Sequence, residues 1–307
     1  MELRQLEYFR EICRQGSVTA AATALNVSQP SVTAGIKRLE EELGVLLFDR
    51  ANRRLAVSHV GDEFRKDAEA ILAMVEDARL KIQDYRSKPR GLVRIGITPM
   101  MSVTLLPPVV ARYQEMYPEI EMHVMEEGSL SIAERLKRGE LDLGILITQS
   151  LPSGLASAPI RRGEILACLS PGHRLADSVE IPLAELKDEP FILFHEDTYS
   201  RQLILRECRR LGFEPHVVFA SSQIGTVAGL VREGMGIAFF FEDIANTLDS
   251  IEFRPLVPRL ELEAGVVWNE RRYLSMPTRH LIRAFVGNEQ DIGSDKNVDK
   301  RPSSDIL

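Results

Sequence analysis

Apolar positions near the start of the chain recur at spacings of three and four: Leu3, Leu6, Phe9, Ile12 and Cys13. That period predicts an amphipathic helix, and Gly16 is suited to stop it. Ser17 can cap a second helix through "VTAAATAL", whose Ala20, Ala21, Ala22 and Ala24 carry so little bulk that another helix can approach closely. Asn26 falls where the chain must turn sharply, and Asn tolerates the left-handed conformation such turns use. Ser28 is placed to cap a third helix with Pro30 in its first turn. Val32, Ile36 and Leu39 form its buried stripe, while Gln29, Ser31, Thr33 and Lys37 point elsewhere.

A longer pattern follows. Ser58 caps a helix running to about residue 87, on which Phe64, Ala68, Ile71, Val75, Ala78, Ile82 and Tyr85 step by four and three in turn. Such a heptad seam is a coiled-coil signature. Thirty residues of helix reach roughly 45 Å, more than a small domain covers, so dimerisation through the seam is expected over packing within one domain. "SKPRG" (87–91) then breaks the helix and marks a boundary.

Beyond it, strand-like and helix-like runs alternate. "LVRIGI", "IEMHVM" and "LDLGILI" read as strands separated by helices in "TLLPPVVARYQEMY" and "SLSIAERLKRG". "FILF", "HVVFA" and "MGIAFFF" form a second set around "YSRQLILRECRRLG" and "SQIGTVAGLVREG". This alternation implies parallel α/β sheets. "GEILACL" (163–169) is a candidate crossover strand and "LEAGVVWN" (262–269) a candidate return strand. The last stretch, 291–307, is polar and reads as a disordered tail.

A chain of 307 residues exceeds one typical core, which fits this division into parts. The net charge of −7 supplies no bulk attraction for nucleic acid, so any such binding must be local. Residues 1–58 carry eight basic against seven acidic side chains, and 59–90 seven of each, which leaves the acidity to the rest of the chain. No apolar run approaches a membrane span and no signal-peptide core opens the chain. Cys13, Cys168 and Cys208 lie far apart without a CxxC, which suits a reducing cytoplasm.

Charge and pattern meet at residues 26–58. Two helices crossing over a short turn, the second presenting Ser28, Gln29, Pro30, Ser31, Thr33 and Lys37, form a helix-turn-helix able to enter a major groove. Gln can pair with adenine, hydroxyls with bases or phosphates, and a helix start favours phosphate. Arg50, Arg53 and Arg54 flank a short β-like excursion, a wing suited to phosphate contacts. An ordinary helical hairpin with solvated polar residues is the plainer alternative, and the wing argues against it. The run "LEYF…GSVTAAATALNVSQPSVTAGIKRLEEELGVLLFDR" resembles the DNA-binding domain of LysR-type transcriptional regulators, with turn, recognition helix and closing "LGVLLFDR" in family order. It departs in having Ala34 and Gly35 where relatives often carry longer polar side chains, which throws base readout onto Gln29, Ser31 and Thr33.

The resemblance implies an α/β fold class overall. A winged helix-turn-helix (1–58) is followed by a linker and dimerisation helix (59–90). Next comes a two-lobed effector domain similar to periplasmic solute-binding proteins (91–290). The first lobe takes about 91–161 plus 268–290, and the second about 162–267. The two-crossing topology comes from the resemblance; periodicity supplies only the alternation. Ligands of open parallel sheets sit beyond the carboxyl ends of strands, where helix starts converge. That points to Thr98, Met100, Ser102, Gly128, Ser129 and Thr148 from the first lobe, and Tyr199, Ser200, Arg201, Ser222 and Gln223 from the second. Each hydroxyl is also an ordinary helix cap, and only their convergence favours a site. Met100 stands where relatives often have Ser or Thr, which makes the pocket more apolar. "GIAFFFED" lacks the Pro that relatives place after this strand, and one of its phenylalanines could face the cleft.

No GxGxxG, Walker A, GxSxG or HExxH occurs, and the six histidines show no ligand spacing. No enzyme activity, cofactor or metal is therefore expected. The expectation is a cytoplasmic transcriptional regulator that binds an inverted-repeat operator in double-stranded DNA as a homodimer or homotetramer. A small-molecule metabolite would switch it, and RNA polymerase is a further candidate partner. The alternatives are a redox-responsive regulator using Cys168 and Cys208, and a small-molecule-binding protein without gene control.

Overall fold

A computed structural model describes residues 1–49, 55–85 and 91–287. The expected tail, 291–307, lies outside the described residues. Contacts divide the chain after Tyr85 into two compact units.

The first unit opens with α1 (Leu3–Gln15), α2 (Val18–Ala24) and α3 (Gln29–Leu43). The anticipated punctuation is in place. Gly16 and Asn26 take positive φ, and Ser17 accepts a hydrogen bond from the Ala20 N–H at 3.3 Å. The strands β1 (Phe48–Asp49) and β2 (Ala56–Val57) pair antiparallel as the base of a wing. Buried Glu40 steadies its approach, accepting from the Leu47 N–H at 2.8 Å and the Phe48 N–H at 3.3 Å. Then comes α4 (His59–Gln83), capped by Ser58 through the Gly61 N–H.

The heptad seam on α4 divides. Phe64 packs its ring 5.3 Å from that of Phe9, and Ala68 is fully buried in the same core as Leu6, Phe9, Val32 and Leu39. Ile71 lies half-buried against that core, and Leu72, off the seam, joins it. These positions were expected between two chains, but their own domain uses them, because α1 lies close enough to cover the first turns of α4. Further along, Val75 is half-buried and Ala78 exposed, while Ile82 and Tyr85 are 69% and 88% exposed.

The second unit has two lobes joined by two strands, one crossing and one returning. The first lobe is built from β3 (Gly91–Ile97), α5 (Pro99–Met116), β4 (Ile120–Glu126), α6 (Ser129–Lys137) and β5 (Leu143–Ile147). The strand β6 (Leu155–Leu169) then crosses into the second lobe. That lobe contains β7 (Ile181–Pro182), β8 (Pro190–Leu193), α7 (Tyr199–Arg210), β9 (His216–Ala220), α8 (Ile224–Arg232), β10 (Ala238–Phe241) and β11 (Glu252–Val257). The chain returns through β12 (Glu261–Asn269) and closes with α9 (Met276–Val286).

Strand order is β4-β3-β5-β12-β6 in the first lobe, and β10 and β11 both pair with the far end of β6 in the second. The pairs β3–β4, β3–β5 and β8–β9 are parallel, as the alternation implied. The crossing strands run antiparallel to their neighbours. β6 begins at Leu155, eight residues before the expected "GEILACL", because "LASAPIRR" also pairs with β12. The return also falls earlier than residue 268: Ala264 already pairs with Ile147 of the first lobe. One core of buried side chains spans both lobes, from Val93, Ile95 and Tyr113 to Phe191, Phe240 and Leu256.

Candidate nucleic-acid interface and ligand cleft

The start of α3 is exposed. Ser28 is its cap, accepting from the Ser31 N–H at 3.3 Å, and the two hydroxyl oxygens lie 2.7 Å apart. Gln29, Pro30 and Thr33 are exposed on the same first turns, and no acidic residue sits there to neutralise the positive helix end. Lys37, one turn further, faces Glu41 at 3.5 Å. Both are solvated, and such a pair contributes about 0–1 kcal/mol, so phosphate can take the lysine from it. Gly35 is not a readout position lacking its side chain. A Cβ there would lie 2.7 Å from the ring of buried Tyr8, so glycine is what lets α1 and α3 approach. Ala34 alone is the exposed position left short. Arg50, Arg53 and Arg54 lie outside the described residues.

In the second unit a cavity lies between the lobes. Its wall includes Thr98, Pro99, Met100 and Met101 at the start of α5, Ser129 at the start of α6, and Thr198, Tyr199 and Ser200 at the start of α7. Ile147, Phe194, Phe241 and Leu262 complete it. Its interior leaves ≈ 20 Å³ for the centre of a water-sized molecule. That holds water; a metabolite needs the lobes to part or side chains to turn.

The expected cap roles separate here. Thr98 has extended cap geometry but makes no side-chain cap bond, and its Oγ1 is buried without a hydrogen-bond partner. Ser129 is not a cap: that position belongs to Gly128, and Ser129 is the first helical residue, 5% exposed. Ser200 is buried to the same degree, in the first turn of α7. Thr198 holds the cap position of α7 without a side-chain cap bond and donates its hydroxyl to the His195 carbonyl at 2.7 Å. Met100 bridges the lobes, its Sδ accepting from the Phe241 N–H at 3.2 Å, a weak acceptor for a buried amide.

Other predicted ligand contacts lie outside the cavity lining. Ser102 donates to the Pro99 carbonyl at 3.0 Å within its own helix. Thr148 donates to the Glu263 carbonyl at 3.1 Å, tying β5 to β12. Arg201 directs its guanidinium to the Phe194 carbonyl at 2.9 Å. Ser222 and Gln223 belong to the turn into α8, where Ser221 Oγ accepts from the Gln223 N–H. None of the five lines the cavity.

Asp197 escaped the sequence reading. It stands in the second lobe beside Thr198, and its Oδ2 accepts from the Gly128 N–H of the first lobe at 2.9 Å. Its carbonyl accepts from the Leu130 N–H at 3.1 Å. The approach is so close that a Cβ on Gly128 would overlap Asp197. The partners are 69 residues apart in the chain, so no local pattern marks the tie.

Burial pushes all three thiols up, Cys13 and Cys208 to about 12 and Cys168 well above the usual thiol range. Cys168 and Cys208 are fully buried, so neither offers the accessible thiolate that a redox sensor uses. Among the described residues no group of three or more His, Cys, Asp or Glu could hold a metal, and no helix is long and apolar enough to cross a membrane.

An exposed helix-turn-helix on a winged unit, joined in one chain to two α/β lobes around a cleft, defines a ligand-responsive DNA-binding regulator. Residues 3–62 match the family described as bacterial regulatory helix-turn-helix protein, lysR family, and residues 86–289 the LysR substrate binding domain. The chain is 35% identical over 282 residues to the HTH-type transcriptional regulator YwbI of Bacillus subtilis (strain 168), covering 91% of this chain and 94% of that one. It is 29% identical to the transcriptional dual regulator GltC of the same organism, over 93% and 96% of the two chains. Among solved structures, a full-length OxyR variant from Pseudomonas aeruginosa superposes with a TM-score of 0.68 at 22% identity, over 93% of this chain and 96% of that one. CbnR, a LysR family transcriptional regulator, superposes with 0.61 at 19% identity, over 94% and 100%. At those identities the two structures speak for the fold alone. The chain belongs to the LysR family of transcriptional regulators.

Proposed function

We propose that α3 reads operator DNA through Gln29, supported by Ser28, Pro30, Ser31, Thr33 and Lys37, with Arg50, Arg53 and Arg54 on the adjacent phosphates. An inverted repeat is the matching target, because a two-fold dimer presents two recognition helices. The exposed end of α4, with Val75, Ala78 and Ile82, is the seam for that dimer; pairing of effector domains would extend it to a tetramer. A regulator of this kind works where the DNA is, in the cytoplasm, and RNA polymerase is a candidate partner at the promoter.

The effector site is the cavity between the lobes. The observation that carries this reading is the convergence of three helix starts from both lobes, with the Thr98 hydroxyl buried and unpartnered among them. A molecule touching both lobes favours one angle between them, and only such differential affinity shifts an equilibrium. The test is anisotropy of the full chain on its upstream DNA, with and without the low-molecular-weight fraction of a cell extract. The fraction should change the affinity, and a Ser129→Trp chain, its cavity filled, should bind DNA but ignore the fraction. An unaltered response in Ser129→Trp would place the effector elsewhere.

A further inference from the structure

If the cavity is the effector site, its wall carries information on what it accepts. No Lys, Arg or His lines it. Arg201, the basic side chain in the first turn of α7, is held by the Phe194 carbonyl and stays out of the lining. A ligand carboxylate would therefore depend on the positive helix ends. The end of α6 already has an anion: the Asp197 carboxylate takes the Gly128 N–H at 2.9 Å, and the Asp197 carbonyl takes the Leu130 N–H at 3.1 Å. Gly128 and Asp197 immediately precede the lining residues Ser129 and Thr198, so this negative charge stands beside the cavity. A second carboxylate placed there would meet like charge in a setting of low polarity, where both repulsion and desolvation are strong.

What the wall offers instead is soft and apolar. Met100, Phe194, Tyr199 and Phe241 supply thioether and aromatic surface from both lobes. Against it stands Thr98 Oγ1, a fully buried polar atom without a partner, on a residue 8% exposed. No protein group bonds this buried hydroxyl, so a ligand group that excludes water from the cleft must itself bond to it or leave it costly and unpaired.

We propose that the cleft selects an uncharged, mainly apolar molecule with one hydrogen-bonding group directed to Thr98 Oγ1, and that Asp197 excludes carboxylates while it ties the lobes together. This rests on the reading of the cavity as the effector site.

The test uses the full chain and ligand-observed NMR with matched pairs of aryl carboxylic acids and their primary amides, which keep the shape and remove the charge. Binding lost in Ser129→Trp, or in Ser200→Trp should the first chain fail to fold, is binding in the cleft. Cleft binding is expected for amides and not for acids. Asp197→Asn, which keeps the acceptor and removes the charge, should raise acid affinity by about tenfold. Thr98→Val should weaken the amides about fivefold. Acids that bind the unaltered chain in the cleft as well as their amides do would overturn the exclusion and leave the effector site standing. If no member of either set binds in the cleft, the reading of the cavity falls, and the proposal with it.

Discussion

The start of α3 and the starts of α5, α6 and α7 all carry Ser or Thr, in opposite surroundings. Each places a hydroxyl where a helix leaves its four first N–H groups unpaired. On α3 the hydroxyls are exposed, and Ser28 spends its own on capping, which leaves the exposed Gln29 amide as the proposed reader. At the cleft they are buried, and Thr98 does not cap at all. A hydroxyl in water gains little from a new partner, while a buried one gains much, so burial decides which helix start waits for a ligand. The first surface suits a large, charged, hydrated partner and the second a small one that displaces water.

The difference predicts that the two units can be damaged separately. The largest effect is expected from Phe9→Ala. The ring lies 5.3 Å from both Phe48 and Phe64 with no exposure, so its loss should cost the first unit about 3–5 kcal/mol. Denaturation followed by proteolysis should show the first unit lost early and the second unaltered, since the two cores share no residue. Simultaneous loss would mean that the units depend on one another for stability.

Gly128→Ala sharpens the comparison from the other side. The new methyl group would drive Asp197 away, at a cost of about 1–3 kcal/mol, confined to the second unit. Hydrogen exchange should rise at the Gly128 and Leu130 positions while the α1–α3 amides keep their protection. No change at α6 would mean that the tie between the lobes adds nothing in solution.

The smallest effect separates cap from ligand contact. Ser129 is the first helical residue and has no cap bond to lose, so Ser129→Ala should cost less than about 0.5 kcal/mol, the lower end of what losing a cap costs. Loss of about 1 kcal/mol or more on thermal melting would restore the cap reading.

Much of this was legible because the signals are local. Gly16, Asn26, Ser28 and Ser58 sit within one turn of the elements they delimit, and the parallel strands announce themselves as apolar runs. Three kinds of feature were not local. The first half of β6 mixes Ala, Ser, Pro and Arg at the edge of its sheet beside β12, so it does not read as a core strand. The seam on α4 has the right period, but period alone does not say whether α1 or a second chain covers Phe64 and Ala68. Of the eleven predicted ligand contacts, Thr98, Met100, Ser129, Tyr199 and Ser200 line the cavity, because strand ends and helix starts are where such sites form. Thr148 and Arg201 have the right chemistry and place, but their bonds to Glu263 and Phe194 depend on the packed fold. Asp197 was missed for the same reason, since its partner is a backbone amide on the other lobe.

Reading of a DNA sequence by the exposed start of α3 is the proposal from which the rest follows. The most direct test is titration of the full-length protein and its Gln29→Ala variant against the upstream duplex and a scrambled duplex of equal length, at two salt concentrations. Tighter binding to the upstream duplex is expected, with Gln29→Ala losing roughly 1–3 kcal/mol of that preference and little of the binding common to both duplexes. Equal affinity of the unaltered protein for both duplexes, or a preference that Gln29→Ala leaves intact, would contradict it.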